Sequence, residues 1–185
     1  KDYQWEYNLV ESSEVNAWCM PGGKIVVYTG ILPVTKTEAG LAVVMGHEVA
    51  RALADHGAQR MSASTLQQIG AVAGSVALQV TNKSQYNELF SLAYGVGTNV
   101  GVMLPFSRSN ETEADAIGIQ IMAIAGYDPS EAPELWKRMA ALKGGKSTSS
   151  LLSTHPSDDS RIKNLTALVP KARAEAAKFG VTNFQ

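Results

Sequence analysis

Residues 45–57, with the sequence MGHEVARALADHG, decide the predicted fold of this chain. Apolar residues recur across residues 41–53 with a spacing close to the 3.6-residue period of an amphipathic helix. Thr37 is a residue type that caps helix starts, and it stands just before this periodic run. We therefore predict one helix from Glu38 to Arg60, with the rest of the chain arranged around it.

The same stretch contains most of a metal-ligand motif. In the motif H-E-x-x-H, two histidines one helical turn apart bind zinc, and the glutamate activates a water molecule. His47 and Glu48 match its first two positions, but Arg51 stands where the second histidine belongs. Residues 47 and 51 share one helix face, whereas Glu48 is rotated by about 100° and can reach a water without binding the metal. Because a guanidinium offers only donors, Arg51 cannot replace the missing ligand.

Composition limits the classes of protein that fit. The chain has 185 residues, of which 45% are hydrophobic and 18% charged, and this predicts a single globular domain over residues 1–185. A net charge of −1 gives no electrostatic basis for nucleic-acid binding, so we expect none. Cys19 is the single cysteine, which excludes an intrachain disulfide. The chain starts at Lys1 without a methionine or signal peptide, so we expect that a leader segment is missing.

A small sheet is predicted before the helix. Polar and aromatic residues alternate in residues 3–7, and β-branched residues dominate residues 24–30 after a Pro-Gly-Gly turn. We predict an α+β class: a mostly helical single domain with a small antiparallel sheet or hairpin packed near the helix of His47. Two interpretations of the second strand stay open. It is either purely structural or an exposed edge that pairs with an extended peptide, and its residues are Lys24, Ile25, Val26, Val27 and Tyr28.

Two long windows lack charged residues, from Ser62 to Asn82 and from Leu89 to Ser107. Their length raises the question of membrane spans, but amides such as Gln67 and Gln68 are costly in hydrocarbon. We predict two buried helices joined by a loop at residues 81–85, with membrane-adjacent helices as the alternative.

The second half of the chain is predicted to be helical. Helices are expected at residues 105–124, 132–142 and 161–179, with a flexible loop at residues 143–150. Glu111 and Asp115 lie four residues apart on one face of the first of these helices. Acidic residues there are either ordinary helix-start residues or members of a site.

A catalytic zinc ion takes three protein ligands and keeps one position open, and two histidines with one carboxylate are a common set. The candidates in this chain are His47, Glu111 and His155. His56 lies nine residues after His47, half a turn away on the predicted helix, and is expected at the surface or behind the ligands.

Four sequence blocks carry a resemblance to a known family. They are residues 15–30, the HEVA of 47–50, the S-R-x-x-E-x-E-A-D of 107–115 and the S-T-H-P-x-x-x-x-R of 153–161. In this order and spacing they resemble the gluzincin peptidases, a family that includes the CAAX prenyl protease, HtpX, and the Oma-type and outer-membrane quality-control proteases. The resemblance covers about residues 15 to 165.

The resemblance implies roles for individual residues. His47 and Glu111 match zinc ligands, and Glu48 matches the general base. His155 matches a late motif in which the histidine approaches the metal as a switchable ligand or helps to bind substrate. Arg161 matches the arginine that supports the site electrostatically.

Further positions follow from the same resemblance. Asp115 and Arg108 match residues that support the ligand set, and the strand of residues 24–28 matches the edge strand that holds substrate. The implied activity is zinc-dependent hydrolysis of extended or unfolded polypeptide in protein quality control, with one zinc ion in the parent protein. The implied location is the bacterial periplasm or outer membrane, with a lipid anchor on the missing leader.

Arg51 predicts that this copy is inactive or impaired and binds zinc weakly or not at all. Two other functions stay open. One is a pseudoprotease that binds extended or misfolded polypeptide without cutting it. The other is a purely structural lipoprotein domain, which would leave Glu48, Glu111 and His155 together by accident.

Overall fold

A computed structural model describes residues 3–20, 22–142 and 150–185, and the predicted α+β, mostly helical class is confirmed. The strands are β1 (Glu6–Val10), β2 (Ala17–Met20) and β3 (Lys24–Tyr28). The helices are α1 (Leu32–Thr35), α2 (Glu38–Leu53), α3 (His56–Val80), α4 (Asn87–Thr98), α5 (Leu104–Ile124), α6 (Glu131–Ala141), α7 (Ser150–Thr154) and α8 (Asp159–Lys178). Short 3₁₀ turns at Thr29–Ile31 and Ser84–Tyr86, and a π-helical turn at Asn99–Met103, precede α1, α4 and α5.

The sheet has the strand order β1-β3-β2. β2 and β3 form the predicted antiparallel hairpin, with Trp18 opposite Val26. β1 pairs parallel to β3, with Asn8 opposite Val26. The prediction of an antiparallel sheet is therefore wrong for one of the two strand pairs. β2 and β3 run in opposite directions because they form a hairpin. β1 lies on the other side of β3 and runs in the same direction as β3.

The predicted edge strand is the central strand. β3 pairs with β1 on one side and β2 on the other, so its backbone groups are occupied along both sides. Ile25, Val26 and Val27 are buried. The expectation that residues 24–28 hold an extended peptide is therefore wrong, because β1 covers the edge that such a peptide would need.

Residues 1–54 and 111–185 form one compact unit, and residues 55–110 form a second. In the first unit, α2 packs against β2 and α6, and α6 packs against α8. The core of this unit includes fully buried side chains from β3, α6 and α8, namely Ile25, Leu135, Met139 and Leu165. The expectation of one domain over residues 1–185 stays a prediction.

The central helix is shorter than predicted. Thr37 caps α2 as expected, with its hydroxyl accepting a hydrogen bond from the N–H of Gly40. The helix then ends at Leu53, because Asp55 adopts a left-handed backbone conformation with φ of 55°; aspartate tolerates this region better than most residues. His56 begins α3 and is 2% exposed, so both the continuous helix to Arg60 and the surface position of His56 were wrong.

The second unit contains a helical hairpin of α3 and α4, joined at residues 81–86 near the predicted loop. The predicted burial of these helices is wrong. His56 is the only buried residue of α3, and the described residues of α4 include none. Each helix packs one face on the other, and the opposite faces stay exposed.

The helices of the second half agree closely with their predictions. α5 carries Glu111 and Asp115, and α8 begins two residues before Arg161. Of the predicted loop at 143–150, residues 143–149 lie outside the described residues, and Ser150 begins α7.

Candidate metal centre

Two glycines set how closely α2 and α5 approach each other. A β-carbon on Gly46 would lie 2.7 Å from the carbonyl oxygen of Gly118, and one on Gly118 would lie 2.8 Å from the backbone nitrogen of His47. Real β-carbons do not approach other atoms this closely, so only glycine fits at either position. The crossing places His47 beside the residues one and two turns earlier on α5, which are Asp115 and Glu111.

Three donor atoms from separate elements converge next to this crossing. His47 Nε2 lies 3.2 Å from His155 Nδ1 and 3.3 Å from Glu111 Oε2, and the last two atoms are 2.8 Å apart. Tetrahedral zinc ligands at roughly 2.0–2.1 Å from the ion are about 3.3 Å from one another. The spacing and chemistry of the three atoms therefore fit a zinc ion, and they form a possible metal site.

Asp115 and Arg161 hold the His47 side chain in place. Asp115 Oδ1 lies 2.9 Å from His47 Nδ1, which leaves Nε2 directed at the ligand cluster. Arg161 donates to both carboxylate oxygens of Asp115, at 2.8 and 2.7 Å. Asp158 caps α8 by accepting the backbone N–H of Arg161, so the helix start itself positions this arginine. A carboxylate behind a ligating histidine is a common arrangement in metal sites.

The ring of Trp136 packs against the guanidinium of Arg161. The guanidinium carbon of Arg161 lies 3.5 Å from the ring centroid of Trp136, a cation–π contact in a desolvated place. Trp136 is 3% exposed and also meets the His47 ring edge-on at 6.2 Å. Trp136 lies on the buried face of α6, and helical spacing alone does not distinguish a core side chain from one that packs against a site.

Arg51 points its guanidinium at the third candidate ligand. Arg51 Nη1 lies 2.7 Å from His155 Nε2 and 3.9 Å from carboxylate oxygens of both Glu48 and Glu111. Arginine only donates, so His155 Nε2 accepts and a neutral His155 carries its proton on Nδ1. That Nδ1–H donates to Glu111 Oε2. A metal ion on Nδ1 would move the proton to Nε2, where it would face the N–H of Arg51.

Glu48 is held at the side of the cluster facing β2. Its Oε2 accepts a hydrogen bond of 3.0 Å from the backbone N–H of Cys19, and its Oε1 lies 3.4 Å from His155 Nε2. Glu48 is 2% exposed, so this carboxylate is ordered and close to the ligands without being one of the three. The hydrogen bond between the Cys19 N–H and Glu48 could not be predicted from the sequence, because every residue type except proline has a backbone N–H.

The cluster shifts the pKa of its members strongly. Burial alone would lower the pKa of His47, but hydrogen bonds to Asp115 and Glu111 outweigh it and raise that pKa to about 9. Burial lowers the pKa of His155 below its ordinary value, despite the Glu111 carboxylate beside it. Hydrogen bonds from the two histidines overcome the desolvation of Glu111 and hold its pKa well below the usual range. Burial alone would raise the pKa of the Asp115 carboxyl, but His47 and Arg161 outweigh this and hold that pKa below its ordinary value.

The structure thus brings together most of the predicted site residues, namely His47, Glu48, Arg51, Glu111, Asp115, His155 and Arg161. Arg108 lies exposed on α5 within the second unit, and its supporting role stays a prediction. His56 also belongs to the second unit.

This centre combines a helix that carries His and Glu in sequence with a second helix that carries a carboxylate, an arrangement of the zinc metallopeptidase class. The profile of peptidase family M48 matches residues 1–169, and the chain belongs to this family. M48 peptidases use zinc, which agrees with the His47, Glu111 and His155 cluster.

Named relatives agree with the family. The chain is 36% identical over 176 residues to a mitochondrial metalloendopeptidase OMA1 of Schizosaccharomyces pombe, covering 94% of this chain and 49% of that protein. It is 37% identical over 187 residues to the Arabidopsis thaliana protein of the same name, covering 97% and 36%. It is 30% identical over 166 residues to the beta-barrel assembly-enhancing protease of Escherichia coli K12, covering 85% and 33%.

The chain spans less than half the length of these relatives. The relatives have mitochondrial as well as bacterial names, so they do not support the periplasm over another compartment. None of the described helices is long and apolar enough to cross a membrane.

Proposed function

We propose that this chain is the peptidase domain of a zinc-dependent endopeptidase that acts on extended or misfolded polypeptide in protein quality control. We further propose that Arg51 keeps this copy impaired or inactive. The M48 membership and the metalloendopeptidase names of the relatives support the general activity. The single observation that carries the proposal is the spacing of three donor atoms beside a buried glutamate.

In the proposed site, His47, Glu111 and His155 hold the metal. A bound zinc ion polarises a peptide carbonyl and makes water acidic enough to attack it near neutral pH. Arg161 and Asp115 orient His47 and keep the ligand cluster rigid. The apolar side chains of Leu135, Met139 and Leu151 line the pocket beside the cluster and limit water access.

Glu48 is the proposed general base. It is not among the three ligand residues, and its Oε1 lies 3.4 Å from His155 Nε2, on the side of the cluster that faces β2. The Cys19 N–H holds the other carboxylate oxygen, so Glu48 can take up a proton on Oε1 without losing its orientation. A positioned acid or base of this kind contributes typically about 100- to 10,000-fold to a rate.

We place an extended substrate along the outer edge of β2 instead of along β3. β2 is a terminal strand of the sheet, and its pairing with β3 leaves the carbonyl groups of Ala17 and Cys19 directed away from β3 as acceptors for an added strand, whereas their N–H groups donate to Asn16 and Glu48. The N–H of Cys19 meets Glu48, so this edge runs beside the proposed base. A peptide added here would pair by main-chain hydrogen bonds, which accept many sequences.

Arg51 opposes metal binding in two ways. It adds a fixed positive charge near the ligands, and it holds His155 in the tautomer whose Nδ1 is protonated. Zinc binding therefore requires the Arg51 side chain to leave. Its side chain is 23% exposed, so it has access to solvent.

A pseudoprotease is the second candidate, and the Arg51–His155 contact is the observation that favours it. In that case the chain holds extended polypeptide at β2 without cutting it. Both functions predict binding of unfolded polypeptide, and they differ in what restoring the second histidine does.

The test compares the chain with Arg51→His for zinc content after dialysis and for cleavage of an unfolded protein such as reduced casein. Arg51→Lys is the matched control, because it keeps the charge and adds no ligand. We expect about one zinc per chain in Arg51→His together with cleavage, and little zinc and little cleavage in the other two.

Cleavage of casein by the unaltered chain at the rate of Arg51→His would contradict the inhibitory role of Arg51. A zinc-loaded Arg51→His chain that binds casein but leaves it intact would contradict the protease and support the pseudoprotease.

A further inference from the structure

The α3–α4 hairpin carries an exposed apolar surface that the proposed activity does not use. On α3 the exposed large apolar residues are Met61, Leu66, Ile69, Val72, Val76 and Val80, each at least 50% exposed. At 100° per residue they fall within an arc of about 140° on one side of the helix. Ser62, Thr65 and Gln79 lie in the same arc, so the stripe is mostly apolar, and monomeric proteins rarely expose an apolar stripe of this length without a partner for it.

The opposite side of α3 is the face that packs on α4. A β-carbon on Gly70 would overlap the Tyr94 hydroxyl, and one on Gly74 would overlap the Phe90 ring. These two glycines are four residues apart, so they form a groove in which the stacked Phe90 and Tyr94 rings lie. The apolar stripe therefore faces away from α4, which packs on the opposite side of α3.

α4 repeats this arrangement. Leu89, Leu92 and Val96 are 56–66% exposed and fall within an arc of about 60°, away from Phe90 and Tyr94. Both outer sides of the hairpin are thus apolar, and its interior is closed by small residues and aromatic rings.

Two polar side chains inside the hairpin, Gln67 and Thr98, are hydrogen-bonded within it. Gln67 Nε2 donates to Thr98 Oγ1 at 2.6 Å across the two helices, and Thr98 Oγ1 donates to the Tyr94 carbonyl on its own helix. Close approach through small residues and side-chain hydrogen bonds between helices are the interactions that hold helices together where the surroundings are lipid.

The distribution of charge selects the partner. Residues 61–82 and 89–107 contain no Asp, Glu, Lys or Arg. A docking surface for a soluble protein has a polar and charged rim around its apolar centre, whereas residues 56–107 contain three charged residues, Arg60, Lys83 and Glu88. Two of these three are basic, which gives the segment a net charge of +1 and suits anionic headgroups. Tyr86 is 51% exposed beside Lys83 at the turn, a pairing found at membrane–water boundaries.

We propose that the α3–α4 hairpin docks into the interfacial layer of a lipid bilayer that contains anionic lipid. None of the described helices is long and apolar enough to cross a membrane, so the hairpin lies in the boundary between headgroups and acyl chains. This proposal is independent of the metal centre, and its readout does not involve cleavage.

The test is flotation of the full chain with phosphatidylcholine vesicles and with vesicles that also contain phosphatidylglycerol. We expect binding to both, stronger by about fivefold per basic residue at the surface when the anionic lipid is present. The double variant Ile69→Glu/Val76→Glu places two charges in the apolar stripe, and we expect its partition coefficient to fall at least about tenfold.

The matched control is Tyr7→Glu/Leu9→Glu on β1, where the same number of equally exposed apolar residues is replaced. We expect this variant to float like the unaltered chain. An equal loss in both double variants, or no flotation of the unaltered chain, would overturn the proposal. Self-association in sedimentation velocity without flotation would identify a second copy as the partner instead.

A second measurement tests the docking without adding a charge to the apolar stripe. With Cys19→Ser as background, an environment-sensitive dye is attached at Val72→Cys, and in a separate chain at Leu9→Cys. We expect a blue shift on adding vesicles at position 72 and none at position 9. A dye at position 72 that stays in a water-like environment would contradict the docking even if the chain floats.

Discussion

Replacing Arg51 with leucine should strengthen zinc binding although it adds no ligand. The unaltered chain must remove the guanidinium from His155 before the ion can use His155 Nδ1. Leucine leaves both nitrogens of His155 without that donor and removes one positive charge. The gain in affinity therefore measures what Arg51 costs, separately from the missing second histidine.

Two costs decide the expected magnitude. A zinc ion about 2 Å from His155 Nδ1 would lie within roughly 5 Å of Arg51 Nη1, since these two nitrogens are 3.3 Å apart. At an effective dielectric of about 20, the repulsion between +2 and +1 charges at that distance is about 7 kcal/mol. Withdrawing the partly exposed arginine instead breaks its hydrogen bond to His155, which costs about 1.5–3 kcal/mol.

The smaller cost prevails, so Arg51 should swing out when zinc binds. Removing this cost with Arg51→Leu should tighten zinc binding by about 10- to 100-fold. The assay is competition for zinc against a chromophoric chelator at fixed pH and salt. Arg173→Leu is the control, since Arg173 forms an exposed ion pair with Asp128 and has no role in the cluster.

An affinity of Arg51→Leu equal to that of the unaltered chain would refute this reasoning. It would mean that Arg51 moves without cost, or that the ion does not use His155. A gain of the same size in Arg173→Leu would show instead that net charge, and not the contact with His155, controls the affinity.

Further measurements test the ligands, the base and the helix crossing. Zinc affinity should rise about tenfold per pH unit up to about pH 9, because binding must displace the proton of His47; the same competition assay at several pH values checks this. Without metal, urea unfolding should show stability falling from about pH 6.5 to 9, by up to about 3 kcal/mol, since the raised pKa of His47 stabilises the folded state only while the imidazole is protonated. Glu48→Gln in the Arg51→His chain should keep zinc but lose about 100-fold or more in casein cleavage; full activity would exclude Glu48 as base. Gly118→Ala should cost about 1–3 kcal/mol in urea unfolding, because its β-carbon meets the His47 backbone; unchanged stability would contradict the close crossing.

Much of the centre was accessible from the sequence because two of its three candidate ligands lie on helices. A ligand and a base one residue apart, or two carboxylates four apart, have nearly fixed relative positions once the helix is recognised. Glu111 and Asp115 therefore appear where the helical pattern placed them, at hydrogen-bond distance from the histidines. His155 could be named as a candidate imidazole, but its place beside Glu111 could not be predicted, because it follows a short helix and no periodicity locates it.

The errors have a common physical origin in tertiary context. Alternation identifies a strand but not its neighbours, so residues 24–28 were predicted to be an edge strand although β1 and β2 pair with them on either side. Asp55 ended the central helix by adopting a left-handed conformation, although it is neither glycine nor proline and the nearby Gly57 does not adopt it. In the hairpin, the lack of charge indicated apolar helices correctly but could not show what covers them.

Charge balance explains how one residue can alter this centre while its neighbours stay in place. In the metal-free cluster the protonated His47, Arg51 and Arg161 carry three positive charges, and Glu48, Glu111 and Asp115 carry three negative ones. His155 is neutral because burial lowers its pKa. Adding zinc and removing the His47 proton would leave one excess positive charge in a buried site, which is costly. If position 51 were a neutral histidine, adding zinc and removing the His47 proton would give the cluster a net charge of zero. In the metal-free chain, Arg51 thus supplies positive charge that a zinc ion would supply if position 51 were a histidine. The acidic residues and Arg161 keep their partners in either case, so a carboxylate-rich cluster persists beside an arginine that opposes the metal.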